Sequence, residues 1–359
     1  MPRFRRVTRT AAALASATVL LATAAACGGS DSDSADSGAS GSGSKETSAA
    51  SSAFPVTIDH KFGSTTIKSE PKRIVTVGLT DQDAVLALGK VPVGTTEWLG
   101  GYKGAIGPWA ADKLNGADAP TVLKDTGTGP QVEKIAALKP DLILSVYGGI
   151  TKEQYTSLSK FAPVVAQPKE YNDYGVPWQK QTELIGKALG KSDEAAAAVK
   201  DTEGKIAAAV AEHPEFKGKN ALMATPYEGM FVFGSQDPRS RLLTDLGFSL
   251  PADLDKVIGD QFGANISKER TDLLDQDAIV WIVSDVAKDS AKLHKDASYK
   301  GLKVVSEGRE VFVNETSDYG SAVSFGTVLS LPYEIERLVP QLVAAVDGKP
   351  DTKVEQPAA

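Results

Sequence analysis

The sequence predicts an α/β fold of two lobes joined by one long helix. Three observations carry this expectation. Short β-branched runs alternate with helical segments from about residue 54 onward. One helix–turn–strand segment occurs twice. An alanine-rich stretch, Asp193–Glu212, lies between the two halves.

In the first half, Ile74–Gly78 (IVTVG) reads as a strand. Asp81–Gly89 reads as a helix stopped by its glycine. Val91–Thr95 follows as a strand, Glu133–Leu138 as a helix, Leu142–Val146 (LILSV) as a buried strand and Val164–Ala166 as another. The second half gives strands at Ala221–Thr225 and Phe231–Phe233 around a Pro226–Gly229 turn. A helix end at Leu242–Gly247 and strands at Ile279–Ser284 and Val311–Val313 complete it.

The repeat pairs Val132–Ser145 with Lys268–Trp281 without a gap. Glu133 then matches Glu269, Leu138 matches Leu274 and Asp141 matches Asp277. A shorter echo sets Ala87–Pro92 against Asp245–Pro251. Both favour lobes of related topology.

Asp193–Glu212 would make roughly 30 Å of helix, with Ser192 as N-cap and Pro214 beyond its end. Gly204 inside it costs up to ~1 kcal/mol relative to alanine. A single connecting helix restricts hinge bending, so ligand binding should move the lobes little. The expected layout is leader 1–26, tether 27–53, N-terminal lobe 54–191, connecting helix 192–213, C-terminal lobe 214–348 and tail 349–359.

The leader carries Arg3, Arg5, Arg6 and Arg9, then an apolar run from Ala11 to Ala26. That run is shorter than the ~20 residues of a membrane-spanning helix. A basic head, short apolar core and small-residue end describe a secretory signal peptide. Cys27, the only cysteine, follows Ala24, Ala25 and Ala26. Residues 28–53 hold no large apolar side chain and read as a flexible tether. Its typical reach is roughly 30 Å.

Composition excludes several classes. The chain has 359 residues and 42% hydrophobic content, enough for two cores. One cysteine rules out a disulfide framework and thiolate metal clusters. His60, His213 and His294 are scattered and read as surface residues, not a zinc site. The net charge of −7 becomes −11 without the four leader arginines, which excludes a nucleic-acid partner. Gly186–Ser192 (GKALGKS) has one residue too few between its glycines for a phosphate loop and reads as a helix C-cap. Gly127–Val132 (GTGPQV) lacks the third glycine of a dinucleotide fingerprint. There is no GxSxG elbow, and no carboxylate pair stands out as acid and base.

In α/β sheets, ligands sit beyond the carboxyl ends of strands. Here those ends are rich in aromatics with polar tips. Trp98 and Tyr102 follow one strand, and Tyr147 precedes Gly148 and Gly149 after another. Tyr171, Tyr174 and Trp178 follow a third, with Trp178 read as core. In the second half Tyr227, Arg239, Arg241, Tyr319 and Phe325 occupy comparable places, while Trp281 inside a strand reads as core. Arg239 offers a charge-assisted fork to an oxygen-rich ligand. The ligand candidates are Tyr147, Arg239, Trp98, Tyr102, Tyr227, Tyr319 and Arg241.

These features resemble the siderophore-binding lipoproteins of ABC-type iron importers. The stretches that carry the resemblance are Lys72–Gly94 (KRIVTVGLTDQDAVLALGKVPVG), Pro130–Ser145 (PQVEKIAALKPDLILS), Val176–Lys191 (VPWQKQTELIGKALGK), Asp237–Phe248 (DPRSRLLTDLGF) and Ile266–Trp281 (ISKERTDLLDQDAIVW). The resemblance implies a bilobal periplasmic-binding-protein-like fold that carries a ferric siderophore in a shallow cleft. It implies no enzymatic activity and no intrinsic cofactor or metal, since the siderophore supplies the iron ligands. It implies Arg239 near the chelating oxygens, and Glu133 and Glu269 as docking points for permease arginines. It implies lipidation of Cys27 after leader removal, and a monomer anchored on the outer face of the cell membrane. The expected partners are a permease and its ATPase. Few basic residues match, which favours a hydroxamate over a triply anionic tris-catecholate. Three other readings stay open at this stage. One is haem or cobalamin on the same scaffold, with Tyr147 or Tyr319 as an axial ligand to haem. The second is a secreted hydrolase. The third is a purely structural or adhesive lipoprotein that binds no small molecule.

Overall fold

The computed structural model describes residues 53–124 and 129–357. The leader, Cys27 and residues 28–52 lie outside the described residues. The described chain opens with an antiparallel hairpin, β1 (Val56–His60) and β2 (Gly63–Ile67). Its residues alternate, with Ile58, His60, Thr65 and Ile67 turned inward. His60 is therefore not a surface residue. Its Nε2 shares a 2.9 Å hydrogen bond with the Thr65 hydroxyl, and burial lowers its pKa.

The first large sheet holds β3 (Ile74–Thr76), β4 (Gly94–Glu97), β5 (Thr121–Lys124), β6 (Leu142–Ser145) and β7 (Val164–Ala166). All are parallel, in the order β5-β4-β3-β6-β7. The strand expected at Val91–Thr95 lies further along, at Gly94–Glu97. Helices α1 (Asp81–Ala87), α2 (Val132–Ala137), α3 (Lys152–Leu158) and α4 (Trp178–Leu189) cover its faces. Leu142 and Leu144 pack with Val85 and Ile185 on one side. Ile143 packs with Ile135 and Leu158 on the other. Burial on both faces explains the unbroken apolar run of β6.

The connecting helix, α5, spans Ser192–Glu212. Lys191, not Ser192, occupies its N-cap position, and Ser192 is its first helical residue. Ala195, Val199, Thr202, Ile206 and Ala209 are buried at helical spacing. Gly190 ends α4 in the left-handed region, at φ 67°. Gly186 lets α4 and α5 close on each other, because a Cβ there would stand 2.3 Å from Ala195 Cβ. The two helices thus meet in a tight corner, pinned by the Lys191 N–H on the Gly186 carbonyl at 2.8 Å.

The second sheet holds β8 (Ala221–Thr225), β9 (Phe231–Phe233), β10 (Gly263–Asn265), β11 (Ala278–Val283) and β12 (Glu310–Asn314). Its order is β10-β9-β8-β11-β12. Counted within each sheet, both orders are the same, 3-2-1-4-5. The lobes differ in that β9 alone is reversed in the second sheet, pairing antiparallel with both β8 and β10, while β8, β11 and β12 pair in parallel. Helices α6 (Pro238–Asp245), α10 (Asp318–Phe325) and α11 (Ser330–Ala345) contribute to the core on one face. Helices α7 (Leu254–Ile258), α8 (Val286–Leu293) and α9 (Lys303–Ser306) and a 3-10 turn, Lys268–Leu274, contribute to the other. Trp281 is fully buried there, as expected, and its Nε1 donates to the Tyr299 hydroxyl at 2.7 Å.

The repeated acids do matching work. Asp141 accepts the N–H groups of Lys72 and Arg73 just before β3, at 2.9 and 2.8 Å. Asp277 accepts the Asn220 N–H just before β8, at 2.8 Å. Each acid ties the start of its lobe's central strand to the start of the neighbouring one.

A buried carboxylate joins the lobes. Asp83 on α1 accepts the Trp109 indole N–H at 2.8 Å and the Thr327 hydroxyl at 2.5 Å on one oxygen. Its other oxygen, Oδ1, is buried without a hydrogen-bond partner. Burial raises its pKa to about 6, against the pull of those two donors. The folded chain therefore binds this proton more tightly than the unfolded chain does. Stability is then greatest below the ordinary carboxylate pKa and falls as pH rises towards about 6. Relative to Asp83→Asn, the wild-type protein should lose about 1–3 kcal/mol between about pH 4 and about pH 7. Parallel denaturant titrations at several pH values check this, and a flat difference would show that Asp83 keeps its charge throughout.

Candidate functional site

The order of the first sheet reverses between β3 and β6, so the loops after those strands flank a switch point. Asp81, at the start of α1, organises it. Its carboxylate accepts the N–H groups of Val146 and Tyr147 at 2.8 and 2.9 Å and the Gln181 amide at 2.8 Å. Burial raises its pKa, opposed by these donors. The loop after β6 is thereby fixed, and Tyr147 is held 3% exposed beside Gly148 and Gly149.

Aromatic rings line the seam where the lobes meet. Trp98 stacks on Phe325 of α10 at 5.5 Å and lies 6.5 Å from Tyr147. Trp109 meets the Phe325 ring edge-on at 5.0 Å. Tyr147 and Tyr174 are 6.0 Å apart, and Tyr174 reaches Phe262 of the second lobe at 6.4 Å. Tyr174 has a φ of 61°. That conformation costs a bulky residue roughly 1–2 kcal/mol. Tyr102 donates its hydroxyl to Asp318 across the seam at 2.9 Å, and burial, aided by Asp318, pushes its pKa up to about 12.

The second lobe adds two arginines at the start of α6. Arg239 makes a fork with Asp237, Nε at 2.6 Å and Nη2 at 2.7 Å. Its guanidinium carbon lies 3.8 Å from the Phe233 ring centre. Burial works to lower its pKa, but the Asp237 charge and hydrogen bonds leave it raised. Arg241 donates Nη2 to the Gly175 carbonyl at 2.7 Å, while its Nη1 is buried without a partner. Burial lowers its pKa, against the pull of Asp237 and Tyr147. The phenol of Tyr147 lies within the electrostatic reach of Asp237, Arg239 and Arg241. Glu334 of α11 is 1% exposed, and neither carboxyl oxygen has a hydrogen-bond partner. Burial raises its pKa well above the usual range, with Arg239 pulling the other way.

Trp98, Tyr102, Tyr147, Arg239 and Arg241 thus gather along one seam, as the sequence suggests. Two candidates do not join them. Tyr319 is 6% exposed in the core of the second lobe, and its hydroxyl donates to Gln341 at 2.8 Å. Its position on the inner face of α10 withdraws it from ligand contact and from any axial role. Tyr227 stands 64% exposed on the turn between β8 and β9. Glu133 and Glu269 are exposed on the first turns of their repeated segments. Asp81, Asp237 and Glu334 were not legible as site residues. An acid at a helix start reads as a cap or a dipole partner, and Asp237 does cap α6 through the Arg239 N–H. No cluster of metal-binding side chains exists among the described residues.

The profile of the periplasmic binding protein family matches residues 74–313, from β3 through most of β12. The Fe(3+) dicitrate-binding periplasmic protein FecB of Escherichia coli K12 is 28% identical over 212 residues. That match covers 56% of this chain and 64% of FecB, just under two thirds of that relative's length. A periplasmic solute binding protein of Mycobacterium smegmatis is 33% identical with a TM-score of 0.70, covering 81% of this chain and 98% of that one. PiaA of Streptococcus pneumoniae, solved in complex with ferrichrome, is 29% identical with a TM-score of 0.73, covering 82% and 99%. With both lobes matched in sequence and in fold, the chain belongs to the periplasmic binding protein family.

Proposed function

We propose that this protein captures a ferric siderophore of hydroxamate type and delivers it to the permease and ATPase of an ABC importer. It acts as a binding protein, not as an enzyme, and works as a monomer. The observation that carries the reading is Arg241. Its buried Nη1 donor lacks a partner, its Nη2 spans to Gly175 of the other lobe, and its charge is felt by Tyr147 on the aromatic seam. A buried donor of this kind is costly unless a ligand oxygen meets it. The likeness to the Fe(3+) dicitrate-binding FecB and to PiaA in complex with ferrichrome supports the same reading.

The charge balance favours the hydroxamate class. Arg239 is already matched by Asp237, which leaves Arg241 as the unmatched cation among the seam residues named above. A triply anionic complex would keep two charges without partners in a half-buried site. A neutral ferric trihydroxamate offers acceptor oxygens without that cost. Trp98, Tyr102 and Tyr147 supply the apolar contact such a complex presents.

Glu133 and Glu269 are the proposed permease contacts, one on each lobe. Both are exposed on repeated first turns, and the Ser267 hydroxyl, followed by the Glu269 backbone, lowers the Glu269 pKa. Both carboxylates are therefore open to arginines of a partner. Cys27 is the proposed lipid attachment point, which places the folded part on a tether at the outer face of the membrane.

Titration with ferrichrome or ferrioxamine B should quench tryptophan fluorescence. Arg241→Gln should weaken binding by about tenfold or more, the cost of a lost charge-assisted hydrogen bond. Absence of quenching by any ferric hydroxamate, citrate or catecholate complex would sink the assignment. Trp98→Phe should reduce the quench amplitude and Trp281→Phe should not, because Trp98 borders the seam while Trp281 is sealed in the core. A Cys27→Ala variant should shift the protein from the membrane fraction to the medium, checked by fractionation and immunoblotting.

A further inference from the structure

A cavity of about 300 Å³ opens on the first lobe at the strand ends, with Gly148, Gly149 and Tyr174 on its wall. It is lined within that lobe by Val77, Leu123 and Ile135 on its apolar side and by Gln131 and Ser145 on its polar side. Ser145 is 1% exposed, and its hydroxyl oxygen has no hydrogen-bond partner. The Gln131 side-chain oxygen is also buried without a partner. Thr151 and Gln154, also on the wall, form a capping box in which each side-chain oxygen accepts the other's backbone N–H. Gly148 leaves room beside the Ser145 hydroxyl, on which a Cβ there would press at 3.1 Å.

The repeat supplies an internal control. Its alignment pairs Ser145 with Trp281. Both stand on the same sheet face, each two residues beyond a matched isoleucine, Ile143 or Ile279, in the corresponding core. In the second lobe the indole fills that space and hydrogen-bonds Tyr299. In the first lobe a serine with an unmet hydroxyl borders a void. The space is therefore one this sheet architecture can fill, and here it is left open with polar atoms facing it.

Among the described residues that line the cavity, Lys124 alone is charged; its side chain is 73% exposed and its ammonium lies 3.6 Å from Glu97. Among those lining residues an ammonium group would meet no carboxylate, and a carboxylate would lose its hydration without an unmatched cation. An uncharged amide meets what is there. Its N–H can donate to the Gln131 oxygen, its carbonyl can accept from the Ser145 hydroxyl, and its alkyl chain can lie on Val77, Leu123 and Ile135. At about 300 Å³ the space is at the small end of ligand sites, the size of an arm rather than a whole chelate. The wall residue Tyr174 also contacts Tyr147 and Phe262, so one ring borders both the cavity and the seam.

We propose that this cavity is a subsite for an uncharged, amide-bearing arm of the siderophore held at the seam. The proposal rests on the siderophore reading above. Three probes separate the possibilities: ferrioxamine B with its free ammonium arm, its N-acetylated form with an amide arm, and a ring-closed ferric trihydroxamate with no arm. Fluorescence titration should find the acetylated form at least tenfold tighter than the ring-closed one, and the ammonium form no tighter than the ring-closed one. Gln131→Leu should reduce the preference for the acetylated arm at least threefold. Ser145→Trp, which installs the residue of the second lobe, should abolish it. Equal affinities for the acetylated and ring-closed probes would overturn the subsite while leaving the siderophore reading intact. So would an unchanged preference in Gln131→Leu with a wild-type melting temperature, whether or not Ser145→Trp folds. A wild-type protein that binds none of the three and no other ferric complex overturns both.

Discussion

The Asp81 carboxylate is the interaction on which the rest of the site depends. It is fully buried, yet three donors from two other segments meet it: two backbone N–H groups after β6 and the Gln181 amide of α4. Loss of any of these donors would leave buried acceptor capacity unmet, at a cost of about 1–3 kcal/mol. The arrangement therefore locks α1, α4 and the loop that presents Tyr147 into one relative position. Tyr147 then brings Trp98 and Tyr174 into register, and through them Phe325 and Phe262 of the second lobe. A single acid at a helix start thus reaches both walls of the seam.

The strands with two buried faces were legible because their residues leave no other option. Leu142–Ser145, Val164–Ala166 and Ala221–Thr225 are apolar runs bounded by turn residues, and the structure places them where the sequence does. Others carried weaker signals. β5 has one buried residue in four, and as an edge strand it needs no apolar pattern. The β1–β2 hairpin alternates, but its inward set includes His60 and Thr65, so the period is hidden in polar residues. The strand expected at Val91–Thr95 slid towards Glu97 because its register is set by pairing with Val75 and Thr76, not by its own composition.

The site shows the same division. Aromatic residues at strand ends announce themselves, since few other roles put Trp98, Tyr102 and Tyr147 in loops. Acidic residues do not, because their meaning lies in what folding brings beside them. Asp237 decides how much of the Arg239 charge faces a ligand. Glu334 lies close enough to Arg239 to be felt electrostatically, yet it comes from α11, nearly a hundred residues further along. Tyr319 shows the converse. In sequence it looks like a loop aromatic after a strand, but it falls inside α10 and its periodicity turns it into the core. Exposure of Tyr227 could not be read from its residue type at all.

The tight corner between α4 and α5 has a kinetic consequence. With Gly186 against Ala195 and no slack before the connecting helix, α4 and α5 cannot pivot on each other without a clash. Hinge motion at this junction is therefore restricted, and less of the affinity for any ligand is spent on selecting a rare closed arrangement. Discrimination among ligands then falls on residence time rather than on closure.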